Sequence, residues 1–198
     1  MSPVGDSLPY TETTRLEGRA PYEVSKTVTD LLVQSYAMTY GLSAAVARCG
    51  NVYGGGDLNW SRIVPGTIRA LVRGEQPVIR SDGTFVRDYL HVDDVVDAYL
   101  ALADWLDDVE SPAEEPGGIA FNFSAEAPLT VLEIYRAVCD AYGEHVDPAV
   151  LGEAAGEIHD QFLDASRAHT VLGWKTEVEL AGGMARTVDW YRTLLADQ

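Results

Sequence analysis

The chain has 198 residues, of which 46% are hydrophobic, and its formal net charge is −17. This length and apolar content suit one or two compact globular units. The acidic balance argues against nucleic acid as a partner, because no broad basic surface is available to neutralise phosphates. No apolar run has transmembrane length, and the first residues lack the basic and apolar regions of a signal peptide. We therefore expect a cytoplasmic protein that binds neither nucleic acid nor a membrane.

The first part of the chain has the element order of an α/β protein. Residues 1–19 are loop-like, and a helix is expected from Pro21 to about Gly41, followed by a short apolar strand at 43–48. A helix that leads into a buried strand through a short link is typical of α/β folds. Residues 50–57 form a glycine-rich loop where ligands bind in open α/β sheets. No Lys-Ser or Lys-Thr follows this loop, which excludes a P-loop.

The rest of the chain alternates short helices with short extended segments. In order, we expect a helix at 63–73, two extended pieces around an Asp82-Gly83 turn, a helix capped by Asp93 or Asp94, an exposed acidic loop at 107–118, a strand at 119–124, a helix at 130–142 with a Thr130–Glu133 capping box, a weakly patterned polar stretch at 147–157, and helices at 165–172 and 180–195. Cys49 and Cys139 have no second cysteine or histidine at metal-ligand spacing. They are expected to be buried free thiols, and no metal site is expected.

Tyr22 and Lys26 are the first candidates for chemistry. They lie four residues apart on the predicted helix, so their side chains share one face. An adjacent ammonium favours the phenolate form of a tyrosine and so makes it a usable base near neutral pH. Lys26 is one of only two lysines in the chain. The alternative is a structural one, because this spacing is also common on surface helices without a catalytic role.

Four stretches of the sequence together resemble one enzyme family. They are Pro21 to Lys26, Arg48 to Gly54, Arg87 to Asp94, and the ending that contains residues 163–174 and 187–191. In this order they resemble the extended short-chain dehydrogenase/reductases that act on nucleotide sugars, the NAD-dependent epimerases and 4,6-dehydratases. The extension at 54–57 is most similar to CDP-glucose 4,6-dehydratases. The stretch from Arg87 is similar to the general pattern of epimerases and dehydratases, so the subfamily stays open.

The resemblance implies roles for individual residues. The tyrosine that matches Tyr22 is the base for a sugar hydroxyl while NAD takes a hydride from the same carbon. The lysine that matches Lys26 holds the nicotinamide ribose and promotes deprotonation of the tyrosine. Asn51 matches a residue that hydrogen-bonds the substrate's diphosphate region, and Arg87 matches an arginine that pairs with the phosphates. A diphosphate needs such planar, charged donors.

Other polar residues are weaker candidates. Arg62 and Arg80 are possible helpers at the phosphates, although a solvated or ion-paired arginine is the simpler interpretation of each. His91 is expected to fix the loop before a helix rather than to act in catalysis, although histidine titrates near neutral pH. Asp94 is expected to be a helix cap. Residues 122–124 fall at a strand end, where the family places substrate-side loop residues.

The resemblance also implies a fold and an assembly. We expect an α/β protein with the late part of a Rossmann-type doubly wound parallel sheet and a small α/β substrate-binding domain. Residues 1–57 are assigned to the NAD-binding Rossmann domain and 58–198 mainly to the nucleotide-sugar-binding domain, with the segment near 85–105 returning to the Rossmann part. The expected partners are a nucleotide-diphosphate sugar, NAD in the complete enzyme, and a second copy bound through the tyrosine helix.

One part of the family pattern is missing from the chain. A dinucleotide site of this kind needs an early strand, a glycine-rich turn that opens a helix, and a later acidic residue for the ribose. Without the early strands, we expect an exposed sheet edge and apolar patches, because parallel strands normally have neighbours and covered faces. Three interpretations stay open: part of a 4,6-dehydratase or epimerase that is inactive as this chain alone, which we favour; a short protein that binds nucleotide sugars or completes a split enzyme; and a remnant that acts only through assembly.

Overall fold

The computed structural model describes residues 8–18, 20–115, 118–153 and 158–196. The helices are α1 (Pro21–Tyr40), α2 (Ile63–Val72), α3 (Val92–Asp108), α4 (Val131–Tyr142) and α5 (Leu180–Leu195). A short 3₁₀ turn (Pro112–Glu114) follows α3, and a π-helical turn (Ala168–Leu172) precedes α5. The strands are β1 (Val46–Cys49), β2 (Asn51–Tyr53), β3 (Val78–Ile79), β4 (Val86–Arg87), β5 (Tyr89–His91), β6 (Ala120–Phe123), β7 (Leu129–Thr130), β8 (Ala149–Val150) and β9 (Asp160–Gln161).

Most of the strand pairs are parallel. β1 pairs with β6, β2 with β5, and β3 with β8, each in parallel. β4 lies between β9, which is parallel to it, and β7, which is antiparallel. At least one helix lies along the chain between the two strands of each parallel pair, as parallel pairing requires. The expected α/β fold class is therefore confirmed.

β1 forms a sheet edge in the part of the chain that the structure describes. Its register with β6 runs from Val46 opposite Ala120 to Cys49 opposite Phe123, and no other described strand lies beside it. This arrangement agrees with the exposed edge expected from the sequence. Such an edge presents unpaired N–H and C=O groups that another strand can bind.

Helix α1 carries apolar residues well beyond the face that it buries. Pro21 is its first residue, and Gly41 ends it in the left-handed conformation, at φ +64°. Only Asp30 and Ala37 are buried along its length. The exposed large apolar side chains of this helix are Tyr22, Val24, Val28, Leu31, Leu32, Tyr36, Met38 and Tyr40. A helix that is apolar on several faces is typical of helices with several packing partners.

The buried apolar side chains form two clusters. One cluster joins β1, β5 and β6 to α3 and the π-helical turn, and its most buried members are Leu90, Ala98, Phe121, Phe123, Ala165 and Ala168. The other joins α2, α4 and α5, and its most buried members are Ile68, Ile134, Val138, Met184, Val188 and Tyr191. The segment near 85–105 thus packs partly on β1, while the domain boundaries assigned from the sequence stay a prediction.

The two extended pieces expected around Asp82-Gly83 are present as β3 and β4, and each pairs with other strands, β3 with β8 and β4 with β7 and β9. Three other sequence-based assignments are corrected by the structure. The loop expected at 50–57 contains β2, since Asn51 to Tyr53 pairs with β5. In the acidic segment at 107–118, Pro112 is buried in a 3₁₀ turn, and residues 116–117 lie outside the described ranges. Cys139 is buried, whereas Cys49 is only half-buried; both are free.

His91, rather than an aspartate, caps α3. Its Nδ1 accepts a hydrogen bond from Asp93 N at 3.2 Å, and its ring packs edge-on against Tyr53, with centroids 5.2 Å apart. The predicted cap by Asp93 or Asp94 is therefore wrong, while the structural interpretation of His91 fits its 4% exposure. The Asp94 carboxylate instead ties the start of α3 to the C-terminal segment by accepting hydrogen bonds from Thr176 Oγ1, Glu177 N and Val178 N.

The buried His91 ring should make stability fall in mild acid. Burial lowers the pKa of His91 below its ordinary 6.5; the Asp93 and Asp94 carboxylates oppose this shift, and Arg186 adds to it. The unfolded state therefore binds the proton more readily, so the free energy of unfolding falls as the pH drops through 6.5 towards the folded-state pKa, by at most about 1.4 kcal/mol per pH unit. Denaturant unfolding between about pH 7 and about pH 5 measures this loss. The variant His91→Asn keeps a side-chain acceptor at the cap and cannot titrate, so an equal loss in the variant would contradict the assignment.

No helix in the described ranges is both long and apolar enough to cross a bilayer.

Candidate active site

The first turns of α1 bring Tyr22 and Lys26 together. Lys26 Nζ lies 5.4 Å from the centroid of the Tyr22 ring, within the range of a cation–π contact. Tyr22 is 70% exposed, and Lys26 is exposed as well. The predicted neighbours are therefore in contact and open to a ligand. Their catalytic role stays a prediction.

An ion pair between Asp30 and Arg48 fixes α1 against β1. Arg48 Nε donates to Asp30 Oδ2 at 2.7 Å, and Arg48 Nη2 donates to Asp30 Oδ1 at 3.1 Å. The third donor, Arg48 Nη1, binds the Glu12 carbonyl oxygen at 3.0 Å. A bidentate ion pair of this kind is directional, so it fixes the rotation of α1 and with it the position of Tyr22. No local pattern predicts this pair, and its only signal in the sequence is an arginine within an otherwise apolar strand.

Asn51 lies at the carboxyl side of β1, where the predicted substrate site begins. It is exposed, it stands opposite Tyr89 in the β2–β5 register, and its backbone N–H donates to the Asp88 carbonyl at 2.7 Å. Burial raises the pKa of the Tyr89 phenol to about 12, although the charge of Arg87 and a hydrogen bond with the Asn51 side chain lower it. The amide of Asn51 is thus accessible at a strand end, as a substrate-binding role requires.

Arg87 is held in β4 by carbonyl oxygens. Its guanidinium donates to the carbonyls of Val86, Ile158 and His159, at 2.8, 2.5 and 2.7 Å. Because β4 is followed by β5 after a single residue, Arg87 lies two residues along the chain from Tyr89, the residue opposite Asn51. A guanidinium has five N–H donors, and three hydrogen bonds leave capacity for an anion.

The other two arginines predicted for the phosphates are more peripheral. Arg62 is 59% exposed and pairs with Asp57 at 3.0 Å, which is the ion-paired alternative considered from the sequence. Arg80 is exposed after β3, and its carbonyl accepts a hydrogen bond from Glu153 N at 2.7 Å. In the described ranges, neither side chain shares a hydrogen-bond partner with Arg87. Their binding role stays a prediction.

A buried carboxylate fastens the strand ends beneath this site. Asp88 is 1% exposed, and its Oδ2 accepts hydrogen bonds from Ser124 Oγ at 2.6 Å and Leu163 N at 2.8 Å. Burial raises the pKa of this carboxyl, while the two hydrogen bonds lower it. A Cβ on Gly50 would lie 2.7 Å from the Asp88 Cβ, so only glycine fits there. Asn122 and Ser124, expected near the substrate, are instead buried and hold protein groups in place.

Gly54 and Gly55 are closely packed, whereas a Cβ on Gly56 would meet nothing within 4 Å. A Cβ on Gly55 would lie 2.6 Å from Trp190 Cγ, and one on Gly54 would overlap Val92. The loop then continues to Asp57, whose carbonyl accepts from the Tyr191 hydroxyl at 2.6 Å. This loop therefore packs closely on α3 and α5. No group of three or more His, Cys, Asp or Glu suited to a metal ion occurs among the described residues.

Comparisons with known proteins agree with the motifs. A model of the NAD dependent epimerase/dehydratase family matches residues 2–115. A dTDP-glucose 4,6-dehydratase of Streptomyces antibioticus is 34% identical over 176 residues, which is 87% of this chain and 49% of that protein. A UDP-glucose 4-epimerase of Mycolicibacterium smegmatis is 30% identical over 188 residues, which is 94% of this chain and 57% of that protein. The chain thus spans about half the length of the curated relatives it matches.

Solved structures give the same result. A UDP-glucose 4-epimerase from Thermotoga maritima, in complex with UDP-glucose, has a TM-score of 0.82 and 30% identity, covering 96% of this chain and 59% of that one. A dTDP-glucose 4,6-dehydratase from Streptomyces venezuelae, with NAD bound, has a TM-score of 0.80 and 28% identity, covering 95% of this chain and 56% of that one. The resemblance inferred from the four stretches is confirmed: the chain belongs to the NAD dependent epimerase/dehydratase family.

Proposed function

We propose that this chain is the later part of an NAD-dependent nucleotide-sugar 4,6-dehydratase or epimerase, with Tyr22 as the base during hydride transfer. The observation that carries the proposal is the contact between Lys26 and the exposed Tyr22 ring in a member of this family. The ammonium lies over the phenol ring, and the exposure of Tyr22 allows a sugar hydroxyl to approach it. A lyase and an isomerase both begin with this oxidation, so the contact does not separate them.

The site fits one end of the cofactor. Lys26 has ammonium donors for a ribose hydroxyl next to Tyr22. A pyrophosphate cradle needs a glycine-rich turn that opens a helix, and the glycines at 54–56 lack that setting, because the next helix, α2, begins only at Ile63. When bound, NAD supplies the hydride acceptor. Tyr22 Oη would accept the proton of the sugar hydroxyl, and Lys26 would hold the ribose.

The substrate is proposed to be a nucleotide-diphosphate sugar. Asn51 and Arg87 are assigned to its diphosphate, with Arg62 and Arg80 as outer cations. Charge-assisted bonds from a guanidinium to phosphate oxygens are directional and strong. The Thermotoga maritima relative was solved with UDP-glucose, which supports this class of substrate.

We further propose that the chain alone is inactive and works with additional polypeptide. The chain spans about half of its relatives, and β1 has an unpaired edge in the described residues. Two exposed apolar stripes on α1 support two separate contacts, namely the rest of a Rossmann sheet and the same helix of a second copy. One stripe contains Val24, Leu31 and Met38, and the other contains Leu32, Tyr36 and Tyr40.

A second candidate is a nucleotide-sugar-binding or split-enzyme subunit without catalysis of its own. The unpaired β1 edge favours it, because a separate polypeptide could add a parallel strand there. Activity that appears only on mixing with such a polypeptide supports this candidate. Activity of this chain alone with NAD contradicts both candidates.

Replacing Arg87 tests the proposed substrate. We expect UDP-glucose, dTDP-glucose or CDP-glucose at millimolar concentration to raise the melting temperature of the chain. Arg87→Met should weaken that binding by about 10-fold or more, because one charge-assisted contact contributes about 1.5–3 kcal/mol. Arg136→Met, which changes an exposed arginine of α4, is the matched control and should bind normally. No stabilisation of the unmodified chain by any of the three ligands would refute the proposal.

A further inference from the structure

We propose that Asp88 is a positioning residue for substrate binding, because its buried carboxylate fixes the segment that holds Arg87 in place. This inference rests on the proposed function, which assigns Arg87 to the phosphates of the nucleotide sugar. Asp88 directly follows Arg87 in the chain and is 1% exposed. A side chain buried to this extent cannot touch a bound ligand, so it acts only through other residues.

The guanidinium of Arg87 is held mainly by one segment of the chain. Arg87 Nη1 donates to the His159 carbonyl at 2.7 Å, and Nη2 donates to the Ile158 carbonyl at 2.5 Å. The residues that follow form β9, which is parallel to β4 and places Gln161 opposite Arg87. The direction in which the guanidinium points therefore depends on where this segment lies.

Asp88 holds the far end of the same segment. Its Oδ2 accepts a hydrogen bond from Leu163 N at 2.8 Å, two residues after β9. The same oxygen accepts from Ser124 Oγ at 2.6 Å, directly after the buried strand β6. Ser124 Oγ in turn accepts from Glu126 N at 2.8 Å, which fixes the hydroxyl. The carboxylate thus anchors the segment that holds Arg87 to the end of β6.

Stability alone does not explain a carboxylate at this position. Among the described residues, no group donates a hydrogen bond to Asp88 Oδ1. A buried acceptor without a partner is unfavourable, and so is the desolvation of a charge. A leucine of similar size would avoid both costs. The carboxylate is therefore explained by the register that it imposes on Leu163 and Ser124.

Substitutions at Asp88 test the inference by titration calorimetry, below the melting temperature of every variant. The ligand is UDP-glucose, dTDP-glucose or CDP-glucose, whichever binds most tightly to the unmodified chain. Asp88→Leu removes both hydrogen bonds and should weaken binding about 5-fold, less than Arg87→Met does, because the guanidinium is present but no longer fixed. Asp88→Asn keeps one carbonyl oxygen for both donors and should retain most of the affinity. If Asp88→Leu does not fold, Ser124→Ala removes one of the two donors and should weaken binding about 3-fold.

A double-mutant cycle shows whether Asp88 acts through Arg87. Once residue 87 is methionine, the position of the segment no longer affects the contact with the phosphates. The double variant Arg87→Met/Asp88→Leu should therefore bind the ligand as weakly as Arg87→Met and no more weakly. A second, independent loss of affinity in the double variant would show that Asp88 does not act through Arg87 and would overturn the inference.

Asp94 is the matched control for stability. It is as buried as Asp88, and its carboxylate accepts three hydrogen bonds, from the segment at 176–178 rather than from the one after β9. Asp94→Leu should lower the melting temperature, as Asp88→Leu does, and leave the affinity for the nucleotide sugar unchanged. An equal loss of affinity in Asp94→Leu would show that destabilisation of the fold is sufficient to weaken binding, which would overturn the positioning role.

The outcomes distinguish this inference from the proposed function. If the unmodified chain binds a nucleotide sugar and Asp88→Leu binds it equally well, the positioning role is wrong and the proposed function stands. If Asp88→Asn loses as much affinity as Asp88→Leu, the acceptor oxygen is not what matters, and the positioning role is also wrong. If the unmodified chain binds none of the three nucleotide sugars, the inference and the proposed function are both overturned.

Discussion

Replacing Asp30 with leucine or Arg48 with methionine is expected to lower the free energy of unfolding by about 3–5 kcal/mol. Asp30 is 8% exposed, and both of its carboxylate oxygens accept from the Arg48 guanidinium. Removing one partner leaves the other charge buried without its counterion. The cost of that isolated charge is larger than the net contribution of the intact pair.

The measurement is a double-mutant cycle by denaturant unfolding. The double variant Asp30→Leu/Arg48→Met leaves no unpaired charge, so its loss should be smaller than the sum of the single losses. Arg62→Met breaks the exposed pair with Asp57, where the arginine is 59% exposed, and should cost less than about 1 kcal/mol. Equal costs at Arg48 and Arg62, or fully additive losses in the cycle, would contradict the role given to the buried pair.

Helix boundaries could be predicted because their signals are local. Thr130 and Glu133 form the expected capping box, with Glu133 N donating to Thr130 Oγ1 at 3.2 Å and Thr130 N donating to Glu133 Oε2 at 2.7 Å. The Tyr22–Lys26 contact was predictable for the same reason, since residues four apart on a helix are neighbours whatever surrounds them.

The remaining structure depends on partners far away along the chain. β4 is only two residues long, and its pairing with β9 joins Val86 to Asp160, which no short pattern specifies. The contact of Phe85 with His159 follows from that register, so no local pattern in the sequence predicts it. Asp94 looked like a cap because it lies in the first turn of α3, yet its acceptors are used by the segment at 176–178. His91 is the N-cap of α3 instead, and burial against Tyr53 keeps its ring in place.

Replacing Tyr22 with phenylalanine is expected to lower kcat by about 100-fold to 10,000-fold in an enzyme that completes this chain with a dinucleotide-binding half. The change removes only the phenolic oxygen to which the role of base is assigned. Tyr22 is 70% exposed, so the free energy of unfolding should change by less than about 0.5 kcal/mol. The affinity for the nucleotide sugar should also stay the same, because Asn51 and Arg87 are assigned to its diphosphate.

Matched variants separate the base from its surroundings. Tyr40→Phe removes a hydroxyl from a tyrosine that is 74% exposed on the same helix, and it should leave kcat unchanged. Lys26→Met removes the ammonium beside Tyr22 and should lower kcat and weaken NAD binding together. Lys175→Met, which changes the other lysine of the chain, is the control. Normal kcat in Tyr22→Phe would show that another group takes the proton. If Lys26 holds the ribose, its loss must weaken the binding of NAD. Normal NAD affinity in Lys26→Met would therefore show that the lysine acts only through its electrostatic effect on Tyr22.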